Sequence, residues 1–498
     1  MIASSFTCQN TYGTACSPGI NRLTLCGVLF ATCLSSAIVE CRAAERPNIV
    51  LIISDDQTYS DFGFMGNRHV LTPRIDELAA KSARYVNGYV PSSVCRPSLV
   101  TLLTGLYPHQ HGVHFNHPPP GFSAMTRDPA VTKARFDEMR DQATYLMRAA
   151  PSLPRILAKN GYRCFQTGKF WEGHWRNAGF TEGMTIAEPS PGAKNGNKTL
   201  ASGDVVAHGN GDHGLAIGRE TMQPIFDFID DCAETPFLLW YAPFLPHLPH
   251  DSPKRFLDLY ADKPGIPKHR LPYCAAVSWF DETVGQLVDF VEQKGLAENT
   301  FFVFVVDNGF VPDATKPRRD GAEFDYTKNS KRAPFDDGLR TPILIRWDGR
   351  TKPATHRELC SSVDIVPTLL AATEQAVPAV LSGRSLWQSA IGKEPLAKKP
   401  VFGEIYPGDA SSLGHPSQDV AYRWIRDGDL KLIVPHSQNG KPAWGGYLKE
   451  PALFDVARNP EETRDLSNDP RYGNELRTLR NKLDAWWTPG NDSSVPKP

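Results

Sequence analysis

Two acidic pairs carry the first chemical signal in this chain. Asp55-Asp56 follow the apolar run Ile49-Val50-Leu51-Ile52-Ile53, and Asp307-Asn308 follow Phe301-Phe302-Val303-Phe304-Val305-Val306. One acidic pair alone is commonly a turn or a helix cap. Two pairs at the ends of strand-like runs supply three carboxylates and an amide oxygen, hard donors that suit Ca²⁺ or Mg²⁺ rather than zinc. No HExxH segment and no Cys/His cluster competes for that role. Two more apolar runs end in reactive side chains. Tyr162-Arg163-Cys164-Phe165-Gln166 leads to Lys169, and Phe237-Leu238-Leu239-Trp240-Tyr241 leads to His247.

Runs of this kind, apolar without alternation, read as strands buried on both faces of a parallel sheet. Amphipathic stretches between them, Pro73–Tyr85 and Ala275–Lys294, read as helices. Alternating strands and helices give an α/β layered domain, whose ligands bind beyond the carboxyl ends of the strands. The four runs therefore deliver their chemistry to one edge. The stretch from Pro189 to Gly211 has no periodicity and reads as a surface loop, and Val363–Leu370 reads as a helix capped by Asp364. Arg340 enters another core strand and is expected to be structural. After Lys398-Lys399-Pro400 the texture changes to short strands, Ala421–Ile425 and Leu430–Val434, and a helical pattern over Glu475–Trp486. The expected division is a catalytic α/β domain at 47–397 and a small α+β domain at 398–498. His436, Trp444 and Tyr447 of the second could reach the cleft.

The most specific segment is Ser93-Val94-Cys95-Arg96-Pro97-Ser98-Leu99-Val100-Thr101-Leu102-Leu103-Thr104-Gly105. Pro97 and Ser98 suit the first turn of a helix and Gly105 its stop. Cys95 then lies at a helix N-terminus, where free N–H groups favour an anion. A small buried cysteine at the start of a core helix is the plain alternative. The segment resembles the type I sulfatase signature, Cys-x-Pro-Ser-Arg followed by Leu-Thr-Gly. The resemblance runs from Pro47 to the C-terminus. It takes in Asp55-Asp56, Thr72-Pro73-Arg74-Ile75-Asp76, Thr167-Gly168-Lys169, the Pro-His-x-Pro at His247, Asp307-Asn308-Gly309, and Lys331 ahead of Phe335-Asp336-Asp337-Gly338. It ends with Gly428–Leu432 and Leu453-Phe454-Asp455.

That resemblance implies an alkaline-phosphatase-like fold: a large mixed, mostly parallel sheet sandwiched by helices, with a smaller C-terminal antiparallel sheet plus helix. It implies a sulfuric ester hydrolase in which Cys95 is oxidised to formylglycine by a formylglycine-generating enzyme. Asp55, Asp56, Asp307, Asn308 and an oxygen of modified Cys95 would hold Ca²⁺, with Mg²⁺ the weaker alternative. Lys169 and Lys331 would bind sulfate oxygens, and His247 would face the leaving-group oxygen. Two positions depart from the family pattern. The signature arginine is Leu99, and the histidine of Gly-Lys-Trp-His is Trp171, with Glu172 and His174 nearby as candidates for its role. His109 and His111 are equally open to a site role or a packing role. The substrate implied is a sulfate ester, with a sulfated carbohydrate foremost. A phosphoesterase of the same superfamily and a sulfated-glycan binder with weakened catalysis remain the alternatives.

Composition sets the outer limits. The 498 residues are 41% apolar and 22% charged, with 54 basic against 55 acidic residues. A sizeable core is available, and neither a nucleic-acid footprint nor a polybasic membrane tether is present. The one membrane-like stretch, Leu23 to Val39, is short, interrupted, and followed by the small-x-small pattern Cys41-Arg42-Ala43. Residues 1–43 read as a signal peptide removed on export to the periplasm or the exterior, so no permanent membrane span is expected. Five cysteines then remain, Cys95, Cys164, Cys232, Cys274 and Cys360, with room for at most two bridges.

Overall fold

A computed structural model describes residues 46–191, 195–207, 213–311, 329–437 and 440–495. The expected signal peptide, 1–43, lies outside the described residues. Arg46–Pro498 forms one compact unit, and among the described residues no helix is long and apolar enough to cross a membrane.

The apolar runs are strands, as expected. The main sheet is built on β1 (Asn48–Ser54), β2 (Ala83–Tyr89), β3 (Arg163–Gly168), β4 (Phe237–Ala242), β5 (Thr300–Val306) and β6 (Arg340–Trp347). Their order is β2-β6-β5-β1-β4-β3, extended at the edges by the short strands Ala354–His356 and Glu182–Gly183. β5, β1, β4 and β3 run parallel to one another, while β6 is antiparallel to both β5 and β2. The register of β1 explains its unbroken apolar sequence. Ile49, Leu51 and Ile53 face one core layer and Val50 and Ile52 the other, so both faces are dry. The second layer is closed by α1 (Pro73–Ala80), α3 (Gln223–Cys232) and α4 (Leu271–Gln293); the first by α2 (Cys95–Thr104) and α5 (Ile365–Ala372).

Three expectations need correction. The helix expected over Pro73–Tyr85 stops at Ala80, because Ala83–Tyr89 leaves it to become β2. The stretch expected to be a featureless loop contains a small hairpin, Asn197–Thr199 with Val205–Ala207. Local turn geometry overrides the absence of alternation there. The room left for disulfides is not used either: all five cysteines of the described chain are free, buried thiols.

The C-terminal sheet is antiparallel, in the order β7 (Val401–Ile405), β8 (Tyr422–Asp427), β9 (Leu430–Pro435), β10 (Ala452–Asp455). One face packs on Tyr89, Phe335 and Leu339 of the main layer, and the other on α6 (Gly473–Trp486). A buried ionic network pins the contact. The Lys431 ammonium lies 2.9 Å from Asp336 Oδ1 and 2.9 Å from Glu462 Oε1, and Tyr89 Oη donates to Asp336 Oδ2 at 2.8 Å. Asp336 sits just downstream of Lys331, so the small sheet also holds the segment that carries that lysine. Breaking a buried pair by removing one partner costs about 3–5 kcal/mol. Lys431→Met is therefore expected to lower stability by about that amount in urea denaturation; a loss below ~1 kcal/mol would show that the network does not hold the sheets together.

Candidate active site

The carboxyl ends of β1 and β5 meet because the strands are parallel neighbours, with Ser54 opposite Val306. Asp307 N donates to Ser54 O at 2.9 Å and Asp56 N donates to Asp307 Oδ1 at 3.0 Å, which stitches the two acidic pairs together. Asp56 takes up a left-handed backbone conformation, φ 60°. Its side chain accepts from Asn308 Nδ2 at 2.7 Å. Gly309 completes the turn because a Cβ there would lie 1.9 Å from the Asp337 carbonyl oxygen.

Four more segments close the site. Lys169 leaves β3 through Gly168 (φ 69°), where a Cβ would meet Ala242 O at 2.0 Å, so only glycine lets the strands come this close. The Lys169 ammonium lies 2.6 Å from both oxygens of Asp55. Lys331 Nζ lies 2.5 and 2.7 Å from the oxygens of Asp56. Cys95 is the first residue of α2, and Sγ is 3.8 Å from Asp55 Oδ1 and 3.7 Å from Asp56 Oδ1. Ser98 of the same turn donates to the Asp307 carbonyl at 2.6 Å, locking the helix start to the acidic strand end. His247 Nε2 stands 3.3 Å from Asp56 Oδ2, its Nδ1 is 2.6 Å from Leu248 O, and its ring stacks on Phe244. A carbonyl partner requires the proton on Nδ1, so Nε2 is the nitrogen that faces the site. His247 is 21% exposed against 1% for Lys169 and 6% for Lys331, which places it at the mouth.

The charges act on one another strongly. Burial would raise the Asp56 carboxyl, but Lys331, His247 and Lys169 hold it well below the usual carboxylate range. Burial would lower the Lys169 and Lys331 ammonium groups, yet Asp55 and Asp56 hold them above their usual values. Asp307 has no lysine of its own, and burial with the neighbouring Asp55 charge pushes its carboxyl far up. The Cys95 thiol is pushed up to about 12 by burial, against the pull of Lys169 and Lys331. It is a protonated donor to two carboxylates, and a thiol is a poor nucleophile in that state.

The donor set fits a hard cation. Asp307 Oδ2 and Asn308 Oδ1 are both buried without a hydrogen-bond partner, and three carboxylates face only two lysines. One ligand atom from each of Asp55, Asp56, Cys95 and His247 lies within 4.8 Å of the others. This tight group brings His247 in with the acids, while Asp307 and Asn308 join through their bonds to Asp56.

The family model described as Sulfatase matches residues 47–375. The chain belongs to the sulfatase family. Its C-terminal part, residues 324–488, also matches the model described as N-sulphoglucosamine sulphohydrolase, C-terminal. This sulfatase is 28% identical to arylsulfatase A of Homo sapiens over 460 residues, 86% of this chain and 82% of the relative. It is 25% identical to an ulvan-active sulfatase of Formosa agariphila over 470 residues, 88% and 80% of the two chains. In fold it resembles the crystal structure of Ps i-CgsB, with TM-score 0.66, 22% identity, and 90% and 94% of the two chains covered. By family the chain is a sulfuric ester hydrolase.

The two departures now have structural accounts. Leu99 is 3% exposed within the main core layer. The Arg96 guanidinium turns away to a buried, two-pronged pair with Glu172, Nε–Oε1 2.6 Å and Nη2–Oε2 2.8 Å. Glu172 is thus taken by Arg96, and His174 caps the turn Trp175–Ala178 by accepting from Arg176 N, so neither stands in the vacated histidine position. Trp171 stands over Lys169 with its ring centre 6.0 Å from Nζ. His109 pairs with Glu404 and stacks on Trp487, and His111 is buried beside Thr101; both pack loops. His436 accepts from Arg423 Nε, and Arg340 binds Val86 O and Asn87. The Arg96–Glu172 pair escaped the sequence reading because nothing in the local pattern joins residues 76 apart.

That pair ties the Cys95 helix to the Lys169 loop, and it makes a direct prediction. Glu172→Ala leaves a guanidinium buried and unpaired, which costs about 3–5 kcal/mol, while Arg96→Met/Glu172→Leu is expected to regain most of it. Urea denaturation of the single and double variants reads the difference; a harmless Glu172→Ala would show the pair is not coupled.

Proposed function

We propose that this sulfatase is exported, with residues 1–43 removed, and hydrolyses a sulfate ester of a carbohydrate through formylglycine derived from Cys95. Support for a carbohydrate substrate comes from relatives such as the ulvan-active sulfatase and the N-acetylgalactosamine-6-sulfatase of Canis lupus familiaris. The observation that carries the reading is the meeting of Cys95 Sγ with the two carboxylates that Lys169 and Lys331 hold.

In this reading Asp55, Asp56, Asp307, Asn308 and the modified Cys95 hold Ca²⁺. The cation contributes Lewis acidity, and formylglycine made by a generating enzyme contributes a hydrated aldehyde as nucleophile. The protein residues do the rest. Lys169 and Lys331, fixed by Asp55 and Asp56, neutralise charge on the sulfuryl oxygens, and they need little reorganisation because they are already buried and aimed. His247, its Nδ1–H anchored on the Leu248 carbonyl, acts as the acid only when it carries a second proton on Nε2. Burial disfavours that charge and Asp56 favours it, and the proton goes to the departing alkoxide. Trp171 and Phe244 wall Lys169 off from water. The buried, protonated Cys95 thiol argues against an unmodified cysteine acting as nucleophile in a phosphoesterase.

The intact mass of the Cys95 peptide tests the modification: aldehyde and hydrate are expected, and a persistent thiol would move the reading to a phosphoesterase or a glycan binder. Asp307→Ala is expected to weaken Ca²⁺ binding in calorimetry and to abolish turnover together, since each lost hard ligand leaves the ion under-coordinated. Normal calcium affinity in that variant would show that the two acidic pairs do not share a cation. Lys169→Ala and Lys331→Ala are each expected to lose about 10²–10³ in kcat, the usual cost of one preorganised electrostatic donor. A change confined to KM would show that they bind the ground state alone.

A further inference from the structure

Arg332 follows Lys331 directly, yet the two side chains part company. Lys331 is buried on Asp56, whereas Arg332 is exposed. The divergence comes from the backbone: Arg332 sits in the left-handed region, φ 73°. Residues other than Gly, Asn and Asp adopt it at a steric cost. The turn is held from both sides. Arg332 N donates to Ser93 O at 2.9 Å, two residues before Cys95, and Ser93 Oγ donates to Ala333 O at 2.8 Å. Glycine would meet the same backbone without strain, but the sequence places a guanidinium there.

Among the described residues that guanidinium makes no ion pair or side-chain hydrogen bond. Among the described residues no carboxylate lies within ion-pair distance of Arg332, while Lys169 and Lys331 each take one. Its surroundings belong to the mouth of the site. The His117 imidazole is pushed down to about 4 by burial and then by the Arg332 charge. The Tyr447 phenol is raised by burial, with Arg332 the opposing charge. Arg332 therefore stands near both His117 and Tyr447, the latter from the C-terminal part of the chain. His117 lies 6.0 Å from Trp171 between ring centres, and Trp171 covers Lys169. The result is an aromatic wall beside the two lysines with one exposed cation next to it, unpaired among the described residues.

We infer that Arg332 reads a second oxyanion, a carboxylate or another sulfate, on the sugar that bears the scissile sulfate or on its neighbour, so that the preferred substrate is a polyanionic saccharide. The inference rests on the proposed role of Lys331 in holding the scissile sulfate. The Arg332 and Lys331 charges both act on His117, and the Arg332 backbone is bonded two residues before Cys95, so Arg332 addresses a group beside the one that Lys331 holds. A planar guanidinium suits either anion by two parallel hydrogen bonds.

The test compares the parent with Arg332→Gly, which removes the charge and relieves the backbone. Matched probes are N-acetylgalactosamine 6-sulfate against the 4,6-disulfate, and an unsaturated chondroitin 6-sulfate disaccharide against its methyl ester. Ratios of kcat/KM, and of dissociation constants from calorimetry, are measured for each pair. The parent is expected to prefer the more anionic member of at least one pair. Arg332→Gly is expected to lose roughly ten- to hundredfold of that preference, the worth of a charge-assisted hydrogen bond, mainly through KM. The responding pair tells a second sulfate from a carboxylate. Equal ratios in the two proteins, or no preference in the parent, would overturn the assignment. A parent that binds the anionic member selectively without turning it over would instead count against the sulfatase reading and leave the role of Arg332 standing.

Discussion

Three acids and two lysines, buried together around the ends of two parallel strands, are the constraint on which this molecule is built. Three carboxylates and two ammonium groups occupy a space in which the lysine–carboxylate contacts are 2.5–2.7 Å. Charges about 4 Å apart interact by roughly 4 kcal/mol at an effective dielectric near 20, so the arrangement holds only where every group is fixed. A double-faced apolar sheet supplies that rigidity, because β1 and β5 cannot slide without exposing one of two cores. The excess acid, with Asp307 Oδ2 and Asn308 Oδ1 unpartnered, makes the assembly a receptor for positive charge.

The same logic explains the C-terminal sheet. Lys431, Asp336 and Glu462 form a second buried ionic centre, remote from the reaction but anchoring the segment 333–339 that follows Lys331 and Arg332. The small sheet is thus a brace for the segment that follows Lys331. It also brings Tyr447 to the rim, where its neighbour in charge is Arg332.

Much of this was legible in the sequence, and the reason is periodicity. Unalternating apolar runs located β1, β3, β4 and β5 to within two residues, since parallel strands are dry on both faces. The ordered motifs named eight candidate residues, and the structure brings them together. What escaped depends on contacts across the fold. β2 was absorbed into a helical pattern because its mixed sequence, Ala83–Tyr89, is matched to its partners rather than to a period. The Arg96–Glu172 pair and the left-handed turn at Arg332 have no local signature. Leu99 was read as a missing cation; its place in the core shows that the helix has an apolar surface there instead.

Cys95 is 1% exposed and pinned at the first turn of α2. An enzyme that must reach this sulfur to oxidise it cannot do so on the finished fold, since access would require undoing the junction of helix and sheet. Under the proposed reading, conversion of Cys95 would therefore belong to the interval between synthesis and folding. On that reading chemistry would come ahead of collapse, and a chain that folded first would keep a buried, inert thiol.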